Sequence, residues 1–248
     1  MSDASALRWP RGEKGAVSLS FDDGTQTQVD NAIPTLNEYK LRGTFYVPMA
    51  DGGPFDLRFE HWRESVKAGH EIGNHSMTHP CSANFRFGKP WLDDMTIEEI
   101  TAQVLAAKQR IVEELPEQKD HSFAYPCGET KVGAGKGHTS YVPAIAEHYV
   151  TGRGIGDQPN DPLHVDLACT WSFMPTNPPA QQLIAWADLA KQGKWVIYCF
   201  HGVGGEHFYL SMDAFRALLG YLNADKRDIW TDTVINVGTW IQAHRHGE

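Results

Sequence analysis

Short runs of β-branched and aromatic residues alternate with helical patterns along the chain, and this alternation limits the fold more than any other feature. The first runs are "AVSLSF" (16–21) and "GTFYVP" (43–48), and later ones are "HSFAYP", "YVTGRG", "HVDLACTWSF" and "WVIYCFHG". Strands separated by helices predict a parallel sheet with the helices outside it. About seven or eight such units favour a (β/α) barrel over an open doubly wound sheet.

The helical segments between these runs are marked by capping and apolar spacing. The clearest is "TIEEITAQVLAAKQRIVEEL" (96–115), in which Thr96 and Glu99 predict a capping box. Its apolar face has helical spacing, at Ile100, Val104, Ala107 and Ile111. A helix over 59–69 is expected to end at Gly69. The tail predicts a helix near 211–224, a strand "TDTVINV" and a short terminal helix.

Composition and cysteine spacing exclude several classes of protein. A net charge of −9 over 248 residues does not match the basic stripe of nucleic-acid proteins. The four cysteines are widely spaced and form no C-x-x-C pair, which predicts buried free thiols rather than a zinc cluster or a disulfide framework. Because no signal peptide or membrane-length apolar run is visible, the default prediction is cytoplasmic; a secreted protein stripped of its leader would look the same.

Polar clusters follow the predicted strands. They are "DDG" (22–24), "NHSMTH" (74–79), "PCGE" (126–129), "TW" (170–171) and "HG" (201–202). Functional residues of a (β/α) barrel lie at the carboxyl ends of its strands, so we expect these clusters to meet at one mouth.

Two of these clusters together predict a metal site. His75 and His79 are four residues apart, a spacing that alone is equally typical of a polar loop, and Asp22 with Asp23 alone could form a surface turn. Two histidines and one carboxylate leave open positions for water and substrate, and they suit Zn²⁺, with Co²⁺, Ni²⁺, Mn²⁺ or Fe²⁺ as alternatives. A second carboxylate that accepts a proton from water indicates hydrolysis.

Two later histidines have different expected roles. His201 ends the most apolar strand and is either a histidine at the barrel rim or a general acid beside the metal cluster. His207 lies in the Gly-rich loop "GVGGEH", and we expect it to face solvent.

The motifs, in this order, resemble the polysaccharide deacetylase family, also described as the NodB-homology domain or carbohydrate esterase family 4. "SFDDG" is similar to the family motif T/S-F-D-D-G and "HSMTH" to H-S/T-x-x-H. "AYPCG", "TW" and "CFH" stand where the family has R-x-P-x-G, D-W and L-x-H. The resemblance implies an α/β fold, a distorted, incomplete (β/α) barrel that is seven-stranded and TIM-barrel-like. It also implies one domain over residues 1–248 with a core from about 16 to 241.

The resemblance also assigns roles to single residues. It implies that Asp23, His75 and His79 hold the metal, with Asp22 as general base and His201 as general acid. The backbone N–H of Cys127 would stabilise the oxyanion, and Tyr125 and Trp171 would line the substrate pocket, Trp171 against the acetyl methyl group.

Two positions depart from the family pattern. Ala124 replaces the Arg that orients the base, and Thr170 replaces the Asp that supports the acid. Arg153 or Arg42 could supply the guanidinium, and Asp166 the carboxylate. Loss of such supporting partners lowers activity more than it disturbs the metal ligands.

These observations predict a metal-dependent hydrolase that removes N-acetyl or O-acetyl groups from a carbohydrate. The expected partner is an acetylated glycan or amino sugar, without nucleic acid or membrane. The alternatives are a hydrolase of small non-peptide C–N bonds on the same fold and a carbohydrate-binding relative with weakened catalysis. An Fe(II) oxygenase is disfavoured because the order of the ligands and the α/β pattern do not match that fold.

Overall fold

The structure, a computed structural model, describes residues 7–245. Its strands are β1 (Gly15–Asp22), β2 (Thr44–Val47), β3 (Glu71–Asn74), β4 (Phe123–Ala124), β5 (Lys131–Val132), β6 (Thr139–Ser140), β7 (Gly152–Arg153), β8 (Trp195–Phe200) and β9 (Ile229–Thr231). Its α-helices are α1 (Ile33–Glu38), α2 (Pro54–Leu57), α3 (Phe59–Lys67), α4 (Ile97–Glu114), α5 (Val142–Ala146), α6 (Ala180–Ala187), α7 (Met212–Ala224) and α8 (Val234–His244).

Seven of these strands form one parallel sheet. The strand order is β7-β4-β3-β2-β1-β8, and β9 pairs with the first residues of β1. Every residue of β1 is buried, as expected for a parallel strand that is covered on both faces. The sheet curls into a half-barrel, so the predicted α/β fold, a distorted, incomplete (β/α) barrel, is confirmed. Strands β5 and β6 form a separate antiparallel hairpin.

The gap between the outer strands β7 and β8 is bridged by irregular backbone. The prediction of a strand over "HVDLACTWSF" is wrong, because a 3₁₀ turn at Leu167–Cys169 occupies its middle. Single bridges join Thr170 to Arg153 and Phe173 to Tyr198. These bridges link the two edges of the curled sheet without a full strand, which explains why the barrel is distorted.

The predicted capping of α4, the helix near 211–224 and the terminal helix are confirmed, whereas the predicted strand "TDTVINV" is wrong. Thr96 and Glu99 exchange the two hydrogen bonds of the capping box. The segment "TDTVINV" is mostly helical, because the Thr233 side chain accepts the N–H of Asn236 and begins α8. The buried Glu71 carboxylate accepts the N–H of Ile235, a long-range cap that no local pattern reveals.

The prediction of four free thiols is also wrong. Cys81 and Cys127 form a disulfide across 46 residues, whereas Cys169 and Cys199 are free. Strands β3 and β4 are neighbours in the sheet, so the loops that follow them lie side by side. Spacing along the chain could not show this proximity.

Aromatic side chains fill the layer between the sheet and the helices that cover it. Phe21 stacks on Phe45 at 4.8 Å between ring centroids and packs edge-on against Phe215 of α7. Burial of such side chains stabilises the fold by about 1.5–3 kcal/mol each. Within residues 7–245, no helix combines the length and apolar character needed to cross a membrane.

Candidate active site

Three strands of the sheet deliver the candidate site residues to one edge. Asp22 is the last residue of β1, His75 follows β3 directly, and His201 follows β8 directly. Asp23 has a φ of 74°, which turns its side chain away from the line of β1. His79, with a φ of 52°, folds back so that its ring lies 4.6 Å from that of His75. The parallel sheet therefore brings these five predicted residues together.

Asp23, His75 and His79 have the geometry of a cation site. Asp23 Oδ1 lies 3.6 Å from His75 Nε2 and 3.3 Å from His79 Nε2. One ligand atom from each of the three residues lies within 4.8 Å of the others. His75 Nδ1–H donates to the Ala124 carbonyl at 2.9 Å, so in the neutral ring Nε2 presents a lone pair toward Asp23. Two nitrogen donors and one carboxylate fit Zn²⁺ or a similar divalent ion.

The charges around Asp23 favour its ionised form. Burial raises the pKa of Asp23, but the hydrogen bond from His207 and the nearby His75 ring outweigh it and hold the pKa well below its ordinary value. Burial, together with the neighbouring His75, lowers the pKa of His79 to about 4. At neutral pH the cluster therefore contains a carboxylate and a neutral imidazole, which are the forms that bind a metal.

Asp22 lies beside this cluster, and its two oxygens differ. Oδ2 pairs with the Arg153 guanidinium and accepts the Cys199 thiol at 3.3 Å. Oδ1 is buried and has no hydrogen-bond partner among residues 7–245. Burial raises the pKa of Asp22, but Arg153 and then His75 outweigh this effect and lower it. Asp22 is thus held ionised with one oxygen free to accept a proton.

Another arginine occupies the place of the family arginine that Ala124 replaces. Ala124 on β4 pairs in register with Arg153 on the neighbouring strand β7. Arg153 is fully buried, reaches Asp22, and lies 5.2 Å above the ring of Tyr46. Arg42 lies elsewhere, 3.9 Å from Asp232. The guanidinium beside Asp22 therefore comes from one strand further along the sheet than the family motif implies.

Within residues 7–245, no comparable replacement stands beside His201. Its Nε2 lies 4.0 Å from Asp23 Oδ2, whereas its buried Nδ1 has no partner within residues 7–245. Thr170 donates its hydroxyl to the Gly152 carbonyl, and the exposed Asp166 accepts the N–H of Ala168 in its own turn. Burial lowers the pKa of His201 despite the nearby Asp22 carboxylate.

The predicted pocket residues have separate environments. Cys127 has a φ of 55° and is tied by its disulfide to Cys81, two residues beyond His79. The Tyr125 side chain is fully buried and donates to the Ala168 carbonyl, so it packs in the core rather than lining the mouth. Trp171 is 45% exposed.

His207 has a contact that the sequence did not predict. Its side chain is half exposed, but Nε2–H donates to Asp23 Oδ2 at 2.8 Å. This hydrogen bond raises the pKa of His207. The expectation that His207 faces only solvent is therefore wrong, because the loop after β8 folds back over the mouth. The only sequence signal was the Gly-rich composition of that loop.

A cavity of about 740 Å³ lies away from this mouth, near the amino ends of β2 and β3. It contains Glu71, whose carboxylate accepts hydrogen bonds from Thr44, Ser122 and Ile235. Because this carboxylate is saturated by its neighbours, it has a structural role, and the reactive groups are at the opposite end of the sheet.

Comparison with known proteins identifies relatives. The family model for polysaccharide deacetylase matches residues 10–139. A chitooligosaccharide deacetylase from Sinorhizobium fredii is 32% identical over 123 residues, which are 48% of this chain and 51% of the relative. The matches span only a third to a half of the length of the curated relatives.

Solved structures share the fold at low sequence identity. A probable polysaccharide deacetylase from Pseudomonas aeruginosa PAO1 superposes with a TM-score of 0.67 and 13% identity, covering 95% of this chain and 93% of the other. The Puue allantoinase gives the same TM-score at 12% identity, covering 95% and 92%. At such identities the similarity concerns the fold alone.

Proposed function

Because the chain belongs to the polysaccharide deacetylase family, we propose that it is a metal-dependent hydrolase that removes N-acetyl or O-acetyl groups from an acetylated carbohydrate. The observation that carries the proposal is the pairing of two carboxylates with different surroundings. Asp23 faces the nitrogen donors of His75 and His79, and Asp22, beside it, keeps one buried oxygen without a partner.

Asp23, His75 and His79 would hold a divalent cation, with Zn²⁺ favoured and Co²⁺, Ni²⁺ or Mn²⁺ as alternatives. Such an ion polarises the acyl carbonyl and makes a water more acidic. His75 is kept in the ligating tautomer by the Ala124 carbonyl.

The other residues of the site would move the protons and stabilise charge. Asp22 accepts a proton from the attacking water at Oδ1, while Arg153 keeps the carboxylate ionised. The Cys127 N–H donates to the oxyanion of the tetrahedral intermediate. His201 donates a proton to the leaving nitrogen or oxygen as the C–N or C–O bond breaks.

The Asp22→Asn variant tests the base. It keeps the shape of the side chain but removes its basicity, so acetate release from N-acetyl chito-oligosaccharides should fall at least about 100-fold. Asp30→Asn is the matched control, because Asp30 is exposed and, among the described residues 7–245, its side chain bonds only Gln26. Circular dichroism verifies folding of each variant. Unchanged acetate release by Asp22→Asn would refute the assigned base.

Metal content tests the ligands independently of turnover. His75→Ala should lose the bound ion, as measured by elemental analysis of the purified protein, and chelation should inactivate the wild type reversibly. A His61→Ala variant, which changes a histidine on the surface of α3, should retain the ion. Full metal content in His75→Ala would contradict the assigned ligand set.

A second candidate is a carbohydrate-binding relative with weakened catalysis. It is favoured by one observation, the buried His201 Nδ1 without the supporting carboxylate. Glycan binding without acetate release, tested over several acetylated glycans and metals, would support it. A panel of small amides and ureides tests the remaining alternative, hydrolysis of small C–N bonds on this fold.

A further inference from the structure

The loop that follows β8 has an ordered shape fixed at both ends. Gly202 N–H donates to the His207 carbonyl at 3.1 Å, and Leu210 N–H donates to the Gly202 carbonyl at 2.8 Å. The Glu206 carboxylate accepts the backbone N–H of Thr27 at 2.9 Å. The loop, residues 202–210, is therefore tied to the loop that follows Asp23 and has a defined position over the mouth.

This loop presents an aromatic ring to the candidate acid. The ring centroid of Phe208 lies 4.7 Å from that of His201, and Phe208 is 42% exposed. Its φ is 47°, a left-handed conformation that is rare for a bulky residue and costs on the order of 1 kcal/mol or more. The hydrogen bonds of the loop maintain this conformation and hold the apolar ring at the mouth. Because the ring is partly exposed, its burial contributes little to the stability of the fold.

We propose that Phe208 is the stacking surface for the sugar ring that carries the acetyl group, and so determines which substrates bind. This inference rests on the proposed function. An acid that protonates the leaving nitrogen or oxygen must lie within hydrogen-bond distance of that atom. In an acetylated carbohydrate, the rest of the leaving group is the sugar. A side chain in contact with His201 and open to solvent is therefore beside the sugar, not beside the acetyl group.

The chemistry of a pyranose ring matches that of the exposed phenyl face. One face of a pyranose is lined by C–H groups, whose hydrogens carry partial positive charge. The face of an aromatic ring is negative, so the two surfaces attract each other and both lose contact with water. An acetylated pyranose covers the Phe208 ring, whereas a small amide without a ring leaves it exposed to water.

Binding of N-acetyl chitotetraose tests the proposal without turnover. On the Asp22→Asn background, Phe208→Asn should raise the Kd about tenfold in calorimetry, because it removes the ring but tolerates a positive φ. Phe208→Trp retains an aromatic face and should keep the Kd within about twofold. Phe87→Ala is the matched control, since Phe87 is 71% exposed and stacks on Phe85 rather than His201.

The turnover assay separates this proposal from the proposed function. In the otherwise wild-type enzyme, Phe208→Asn should raise KM for chitotetraose about tenfold and change kcat much less, because stacking holds the sugar before and during the reaction alike. Binding that depends on Phe208 without acetate release would refute the proposed function and uphold the stacking surface. An unchanged Kd, no binding of chitotetraose, or an equal loss in Phe87→Ala would overturn the assignment of Phe208.

Discussion

Replacing Arg153 by Met tests whether the buried ion pair with Asp22 holds the site together. Arg153 is fully buried and Asp22 nearly so, and their charges are in direct contact. At about 4 Å and an effective dielectric constant of about 20, opposite charges attract by about 4 kcal/mol. Met is similar in length but neutral, so it leaves the Asp22 carboxylate buried without its partner. We expect the free energy of unfolding to fall by about 3–5 kcal/mol at pH 7.

A double-mutant cycle separates the pair from packing effects. Asp22→Asn alone leaves Arg153 uncompensated and should also be destabilising, whereas the double variant buries no charge. The double variant should therefore lose about 3 kcal/mol less unfolding free energy than the two single variants lose together. Urea unfolding followed by circular dichroism measures all four free energies.

The control for this cycle is an exposed ion pair of the same type. Arg216 pairs with Glu38 at 2.8 Å on the surface, so Arg216→Met should change the free energy of unfolding little. If Arg153→Met lowers the free energy of unfolding no more than Arg216→Met does, the buried pair does not stabilise the ionised Asp22. The reasoning about this site would then be wrong. Because burial then raises the pKa of Asp22, the loss in Arg153→Met should shrink as the pH falls and the carboxylate gains a proton.

Two further predictions concern acid stability and the disulfide. His70 Nδ1 accepts the N–H of Gly43 at 3.0 Å, and burial lowers the pKa of His70 to about 4. Because the unfolded chain takes up a proton near pH 6.5, the stabilisation by neutral His70 is complete above that pH. From pH 7 to pH 4 the free energy of unfolding should therefore fall by about 3 kcal/mol through His70. Urea unfolding of the His70→Gln variant should show a smaller fall over the same pH range. The Cys81–Cys127 bond closes a loop of 46 residues, so the Cys81→Ser/Cys127→Ser variant should lose about 4 kcal/mol of unfolding free energy. A thiol titration of the unfolded wild type that finds four free thiols would contradict the bond.

The site geometry depends on neighbouring strands rather than on one motif. Gln28 Nε2 donates to the carbonyls of Asp22 and His201, and so joins the ends of β1 and β8. Asn74 at the end of β3 donates to the Val104 carbonyl of α4 and bonds the Tyr149 hydroxyl. These contacts fix the backbone from which the candidate ligands project, since side chains on rigid elements are positioned more accurately than those on free loops.

The sequence alone determined the features that depend on local patterns. Apolar β-branched runs predicted β1, β2 and β8, because a parallel strand covered on both faces must be apolar. The Thr96–Glu99 capping box predicted the start of α4, because capping involves residues three positions apart. The positions of Asp22, Asp23, His75, His79 and His201 after strands were enough to predict that they meet.

Only the tertiary structure decided which distant residues become neighbours. Arg153 on β7 reaches Asp22 on β1, although three strands lie between them, because the sheet curls, and no pattern within either strand states that contact. The Cys81–Cys127 bond and the His207–Asp23 hydrogen bond likewise join residues far apart in the chain. Such contacts follow from the order and curl of the strands, which is set by the packing of the whole core and not by any single segment.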